Sequence, residues 1–117
     1  MLGLLIFPLI VGLMVATIAC LADAALSFEV YEQFGTVEVF RLWRWFIYNG
    51  HRGLLYSVIV AIHLAAAVPF SMVLVTCRSE IELLVTAAFF GLLLIGKIIY
   101  NSMLAMRYSN MLSGGAQ

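Results

Sequence analysis

Three long stretches of the chain carry no charged side chain: Met1–Ala22, Gly53–Cys77 and Leu83–Gly96. After Lys97 the apolar character resumes as far as Met106. A helix needs about 20 mainly apolar residues to cross a bilayer core roughly 30 Å thick. The first two stretches satisfy this outright, and the third does so with Lys97 placed near one end. Backbone groups inside lipid must all be paired, so the spans are expected as helices. A transmembrane barrel needs many segments of alternating polarity, and this chain is too short and too uniformly apolar for one. The pattern predicts an all-α integral membrane protein, a single membrane domain with spans at about 2–24, 54–76 and 81–106.

A different pattern lies between the first two spans. Glu29, Glu32, Gln33 and Thr36 fall at i, i+3, i+4 and i+7, one face of a helix. Phe28, Tyr31, Phe34, Phe40, Trp43, Trp45, Phe46 and Tyr48 crowd the same segment. Aromatic residues with interleaved arginine mark the membrane–water interface. An amphipathic, aromatic-rich helix over about 28–48 is therefore expected along the headgroups, with Gly35 as a point where it can break in two. Its interface anchors are Tyr31, Phe34, Phe40, Arg41, Trp43, Arg44, Trp45 and Tyr48. Asn49-Gly50, followed by Gly53, reads as the turn into the second span. Only Cys77-Arg78-Ser79-Glu80 separates the second span from the third, so these two are expected as a tight antiparallel hairpin. Ser79 and Glu82 have the spacing of a capping box. The tail over 108–117 holds Ser-Gly-Gly and is expected to be mobile.

Composition narrows the class further. Hydrophobic residues make up 65% and charged residues 10%. A soluble domain carries nearer 25% charge, and a disordered chain lacks the apolar content. Six bases balance six acids, so there is no surplus to bind nucleic acid. The distribution of the bases is informative even though their sum is not. Arg41, Arg44, Arg52, Lys97 and Arg107 lie toward one side of a three-span arrangement, and only Arg78 toward the other. The positive-inside bias then puts the long loop and the C-terminus on the cytoplasmic or matrix side, with the N-terminus outside. A bacterial or mitochondrial inner membrane is the expected location. Leu21–Ala25 offers small residues suited to signal cleavage, and Thr17-Ile18-Ala19-Cys20 is similar to a lipoprotein box. No basic region precedes them, so the segment is read as a retained transmembrane helix. Cys20 and Cys77 lie near ends of spans on opposite faces, so no intrachain disulfide is expected.

Candidate chemistry is sparse. His63 lies near the middle of the second span, where ionisable groups are rare and usually functional. A neutral imidazole at that depth suits a haem b iron, with Ala66 and Ala67 leaving room beside the ring. One histidine supplies one axial ligand, so haem requires a second copy or a partner. The plainer reading is an interhelical hydrogen bond. Lys97 and Asn101 lie one turn apart, and with Glu82 and Thr86 they form a polar stripe that could line a pore between protomers. The plainer reading has Lys97 snorkel to the interface. Asp23 is expected at a solvated helix end, within reach of Arg41 or Arg44. Two small-residue faces point to close helix packing: Ser57, Ala61 and Ala65 on the second span, and Gly12, Ala16, Ala19 and Cys20 on the first. Pro69 is expected to kink the second span by freeing the carbonyl of Ala65.

These features lead to three expectations of function. The first is a non-enzymatic subunit that scaffolds or stabilises a larger membrane assembly, with lipids, other transmembrane subunits or copies of itself as partners and no resident cofactor. The second is a self-assembled pore. Three spans at this length, with the N-terminus out and the C-terminus in, resemble the commonest holin arrangement, although the tail lacks the basic cluster usual there. The third is a haem- or quinone-binding anchor. His51-Arg52 at a span entrance, a buried histidine and three spans resemble the cytochrome b anchors of succinate dehydrogenase. The haem histidine of those anchors lies on a different span from the one that follows the His-Arg pair. His51 and Arg52 also read simply as headgroup contacts.

Overall fold

A computed structural model describes residues 2–37 and 41–114. The chain forms four helices in order: α1 Leu2–Phe34, α2 Arg41–Tyr48, α3 Arg52–Val75 and α4 Glu80–Leu112. No strand occurs among the described residues. α1, α3 and α4 are each long and apolar enough to cross a membrane. The protein is thus all-helical with three membrane-crossing candidates, and multi-pass membrane character follows.

α1 runs well beyond the expected end of its span. Residues 23–34 contain neither glycine nor proline, so nothing interrupts the helix. The Ser27 hydroxyl donates to the Asp23 carbonyl one turn back, 2.8 Å away, and is satisfied within the helix. Termination comes at Gly35, whose φ is +78° and whose N–H donates to the Tyr31 carbonyl at 2.7 Å. That is the left-handed cap, which a side chain disfavours. The helix expected over 28–48 is accordingly divided. Residues 28–34 belong to α1, and α2 holds only Arg41–Tyr48. α2 ends in a Schellman turn. Gly50, with φ +72°, donates to the Ile47 carbonyl at 3.2 Å, and the His51 N–H donates to the Phe46 carbonyl at 2.9 Å.

α3 continues through Pro69 to Val75. The turn into α4 is short and capped. Ser79 Oγ accepts from the Glu82 N–H at 3.1 Å. The Glu82 carboxylate accepts from the Arg78 N–H at 2.9 Å, one residue before the cap. Each bond removes an unpaired donor from the helix start. α4 then extends to Leu112. Residues 108–112, expected in a mobile tail, are helical, and Tyr108 is buried because it packs into the core.

α1 and α4 run parallel and form the principal contact of the bundle. Near their N-terminal ends Leu2, Leu5, Ile6 and Leu9 pack with Leu83, Ala87 and Phe90. Near their C-terminal ends Cys20, Ala24 and Phe28 pack with Tyr108. α3 returns antiparallel and makes less contact with α1, and least of all with α4. Its contact with α4 includes Phe70 stacked on Phe90, centroids 4.2 Å apart and 3° from parallel. The hairpin expected of the second and third spans is therefore tight at its turn, while α1 is the main neighbour of both helices. The reason is side-chain size: Gly12 brings α1 within reach of Leu94, and Ala16 is wholly buried.

Candidate functional site

Among the described residues, two places in the bundle hold polar groups away from its surface. The first joins α1 to α4. Asp23, Ser27 and Asn101 are all buried. Asn101 Nδ2 donates to Asp23 Oδ2 at 2.9 Å. Lys97 Nζ donates to Asn101 Oδ1 at 3.3 Å. The amide thus stands between an acid and a base, its N–H₂ toward the carboxylate and its carbonyl toward the ammonium. Both of its polar ends are used. Ser27 Oγ lies a further 3.4 Å from Asp23 Oδ1. A void of about 50 Å³ lies beside them, bounded by Trp43 and Ile47 of α2 and by Tyr100 and Tyr108 of α4.

This arrangement corrects one expectation and divides another. Asp23 is not a solvated helix end, because its carboxylate is satisfied by Asn101 inside the bundle rather than by Arg41 or Arg44. The stripe of Thr86, Lys97 and Asn101 meets three different surroundings. Asn101 is turned inward, Lys97 is exposed, and Thr86 lies at the far end of α4, where the Cys77 thiol comes within 3.7 Å of its hydroxyl. The sequence reading missed the Asp23–Asn101 contact, although a signal was present. Each residue lies twenty-one positions on from the first residue of its helix, so two parallel helices place them at one depth.

The second place lies between α1 and α3. His63 is 6% exposed. Its Nδ1 lies 2.7 Å from the Ile59 carbonyl. A carbonyl only accepts, so Nδ1 carries a hydrogen. Nε2 is fully buried and has no hydrogen-bond partner. Other atoms of His63 border an open depression of about 250 Å³ between Leu13, Met14, Thr17 and Ile18 of α1 and Val60 and Leu64 of α3. Beside it runs an open apolar groove of about 800 Å³ that shares Ile18, Val60 and Leu64. Ser57 and Ala61 lie in the wall of that groove, and with Ala65 they are exposed rather than packed within the chain. The small-residue faces thus differ in placement. Gly12, Ala16 and Cys20 meet α4 or the core with Ala19 half-buried, whereas the Ser57 face is uncovered.

The aromatic anchors gather where α1, α2 and α3 meet. Tyr31 stacks on Tyr48, centroids 4.5 Å apart. The Thr36 hydroxyl and the Val37 backbone hold the Tyr48 phenol below its usual range. Trp43 packs on the core that buries Phe46, while Phe34 and Trp45 remain exposed. Arg41 and Arg44 are exposed. Phe40 lies outside the described residues. His51 stacks on Trp45, and Arg52 reaches back to α1, 3.4 Å from Glu32 and 5.0 Å above the Phe28 ring. Both cysteines are free. No cluster of three or more metal-binding side chains occurs among the described residues. No known protein family, characterised protein or solved structure matches this chain.

Proposed function

We propose that the chain is a non-enzymatic transmembrane subunit that scaffolds or stabilises a larger membrane assembly. The observation that carries this reading is the uncovered small-residue face of α3. Ser57 and Ala61 line a groove against α1 that no described side chain fills, and Ala65, one turn on, is exposed. In lipid, helices associate through close packing at small residues, because lipid tails are as apolar as leucine. A helix from another subunit, or from a second copy, fits such a face. The short α2 supports an interfacial role. Leu42 and Trp45 are exposed apolar groups beside the exposed Arg41 and Arg44, a mixture suited to headgroups. With the bases segregated as the sequence has them, α2 would lie on the cytoplasmic or matrix side of an inner membrane.

The pore reading draws less support, since Asn101 is buried and bonded to Asp23 within the chain, so the stripe does not face outward as a whole. For the haem reading, the free Nε2 of His63 is the favourable observation, and a second axial ligand would have to come from another copy or a partner. Blue-native electrophoresis of gently solubilised membranes tests the leading reading. The chain is expected in a band well above its own 12.9 kDa together with other membrane chains. Migration as a free monomer overturns it, and a band containing this chain alone transfers support to self-assembly.

A further inference from the structure

The outer face of α2 joins two arginines to an apolar edge. Phe46 and Ile47 are buried, and Trp43 packs on the same core, so the inner face of this helix is docked and its orientation fixed. At about 100° per residue, Arg41 then lies at the middle of the outer face. Arg44 and Tyr48 flank it on one side, and Trp45 and Leu42 on the other. All five are exposed, Leu42 by 61% and Trp45 by 54%. His51 stacks on the Trp45 indole, centroids 5.2 Å apart, which holds that ring in place.

The charge on this face then selects the ligand. Arg52, just after α2, is taken up within the chain, 3.4 Å from Glu32 and 5.0 Å above the Phe28 ring. Among the described residues neither Arg41 nor Arg44 makes an ion pair. Positions three apart on a helix have Cβ atoms about 5–6 Å apart, near enough for two guanidinium groups to share one phosphate. The planar fork of arginine matches that anion in shape as well as charge. Leu42 and Trp45, on the other flank, suit hydrocarbon at the headgroup boundary. Phosphate site and apolar edge therefore run side by side, in the order in which a phospholipid presents its phosphate and its chains. A zwitterionic headgroup brings its own ammonium to compete with the arginines, whereas an anionic headgroup does not.

We propose that the outer face of α2 binds anionic phospholipid, with Arg41 and Arg44 on one phosphodiester and Leu42 and Trp45 against its acyl chains. The preference for anionic over zwitterionic lipid rests on the interfacial placement of α2 proposed above and not on the α3 groove. A free monomer on the native gel would overturn the assembly and leave the lipid preference standing.

Both tryptophans of the chain, Trp43 and Trp45, lie on α2, so intrinsic tryptophan fluorescence reads this helix alone. The test uses the full chain in nanodiscs of mixed phosphatidylcholine and phosphatidylglycerol, with bromine on the acyl chains of one lipid or the other as quencher. Brominated phosphatidylglycerol is expected to quench beyond random mixing. The excess should correspond to an affinity about fivefold or more above that of phosphatidylcholine, since each base near an anionic surface contributes about that factor. Arg41→Gln combined with Arg44→Gln should bring the two lipids level, and raised salt should shrink the excess for the unaltered chain. Arg78→Gln, at the opposite end of α3, should leave the excess unchanged. The salt series keeps the test decisive should the double variant fail to fold. Equal quenching by the two lipids, an excess indifferent to salt, or one retained in the double variant overturns the proposal. So does an excess abolished by millimolar glycerol 3-phosphate, since a soluble phosphate would then be the better ligand.

Discussion

Asp23 and Asn101 show how much one polar pair decides in an apolar chain. Their hydrogen bond ties two helices across 78 positions of sequence, and without it each side chain would lose its interhelical partner inside the bundle. Interhelical hydrogen bonds in membranes average about 0.6 kcal/mol and reach roughly 1.7. Removing one partner costs more, because the other stays buried and unpaired. Asn101→Leu and Asp23→Leu should therefore each destabilise the bundle by about 1–3 kcal/mol, while the double variant should lose much less than their sum. Unfolding of the purified protein in mixed detergent micelles gives the three values, and full additivity would sever the proposed coupling. The position of Asn101 was readable as polar but not as inward, since a stripe at helical spacing says nothing about which neighbour it meets. His63 was legible as an intramembrane histidine. Its free nitrogen was not, because that depends on the bond Nδ1 makes to its own helix.

At the scale of elements, the spans were legible because uncharged runs of this length have few other uses. Their ends were less so. The hydropathy that marks a span stops near Asp23, but helix formation stops only where the backbone is made to turn, at Gly35. The aromatic segment after it had a helical pattern throughout, and the glycine outweighed that pattern. Packing partners were the hardest to read. The short turn before Ser79 suggested α3 as the partner of α4, yet α1 holds that place because Gly12 and Ala16 let the backbones approach. A Cβ at Gly12 would meet Leu94 Cδ1 at 3.2 Å, closer than ordinary contact. Gly12→Leu should then force α1 and α4 apart, costing about 1–3 kcal/mol. Gly3→Leu, where nothing lies within 4 Å, is the matched control and should be nearly neutral. Thermal melts of both variants followed by near-ultraviolet circular dichroism distinguish them, and equal melting temperatures would contradict the packing described.

For the whole molecule, the open groove between α1 and α3 connects the fold to its proposed role. Ala61 lies on the groove wall without touching the core. Ala61→Trp should leave the isolated chain as stable as before while shifting its native-gel band down to that of the free chain. A loss of stability in the isolated chain would instead place Ala61 inside the fold. The sequence offered the small residues of this face but not their exposure, which follows only once α1 is seen to lean on α4 and leave α3 partly bare.

α1 and α4, at 33 residues each, are about 50 Å long by helical rise, against about 36 Å for the 24 residues of α3. A hydrocarbon layer of roughly 30 Å therefore leaves the paired parallel helices with surplus length that α3 does not share. That surplus is a tolerance to bilayer thickness. In a thicker membrane the pair can sink by a turn or straighten, and in a thinner one it can tilt, each at fractions of a kcal/mol per Å. α3, the shorter helix, has little such surplus, so it limits the range of thickness that the bundle spans. The unequal lengths thus divide the work: the paired helices tolerate changes in thickness, and α3 sets how thick a layer all three can cross together.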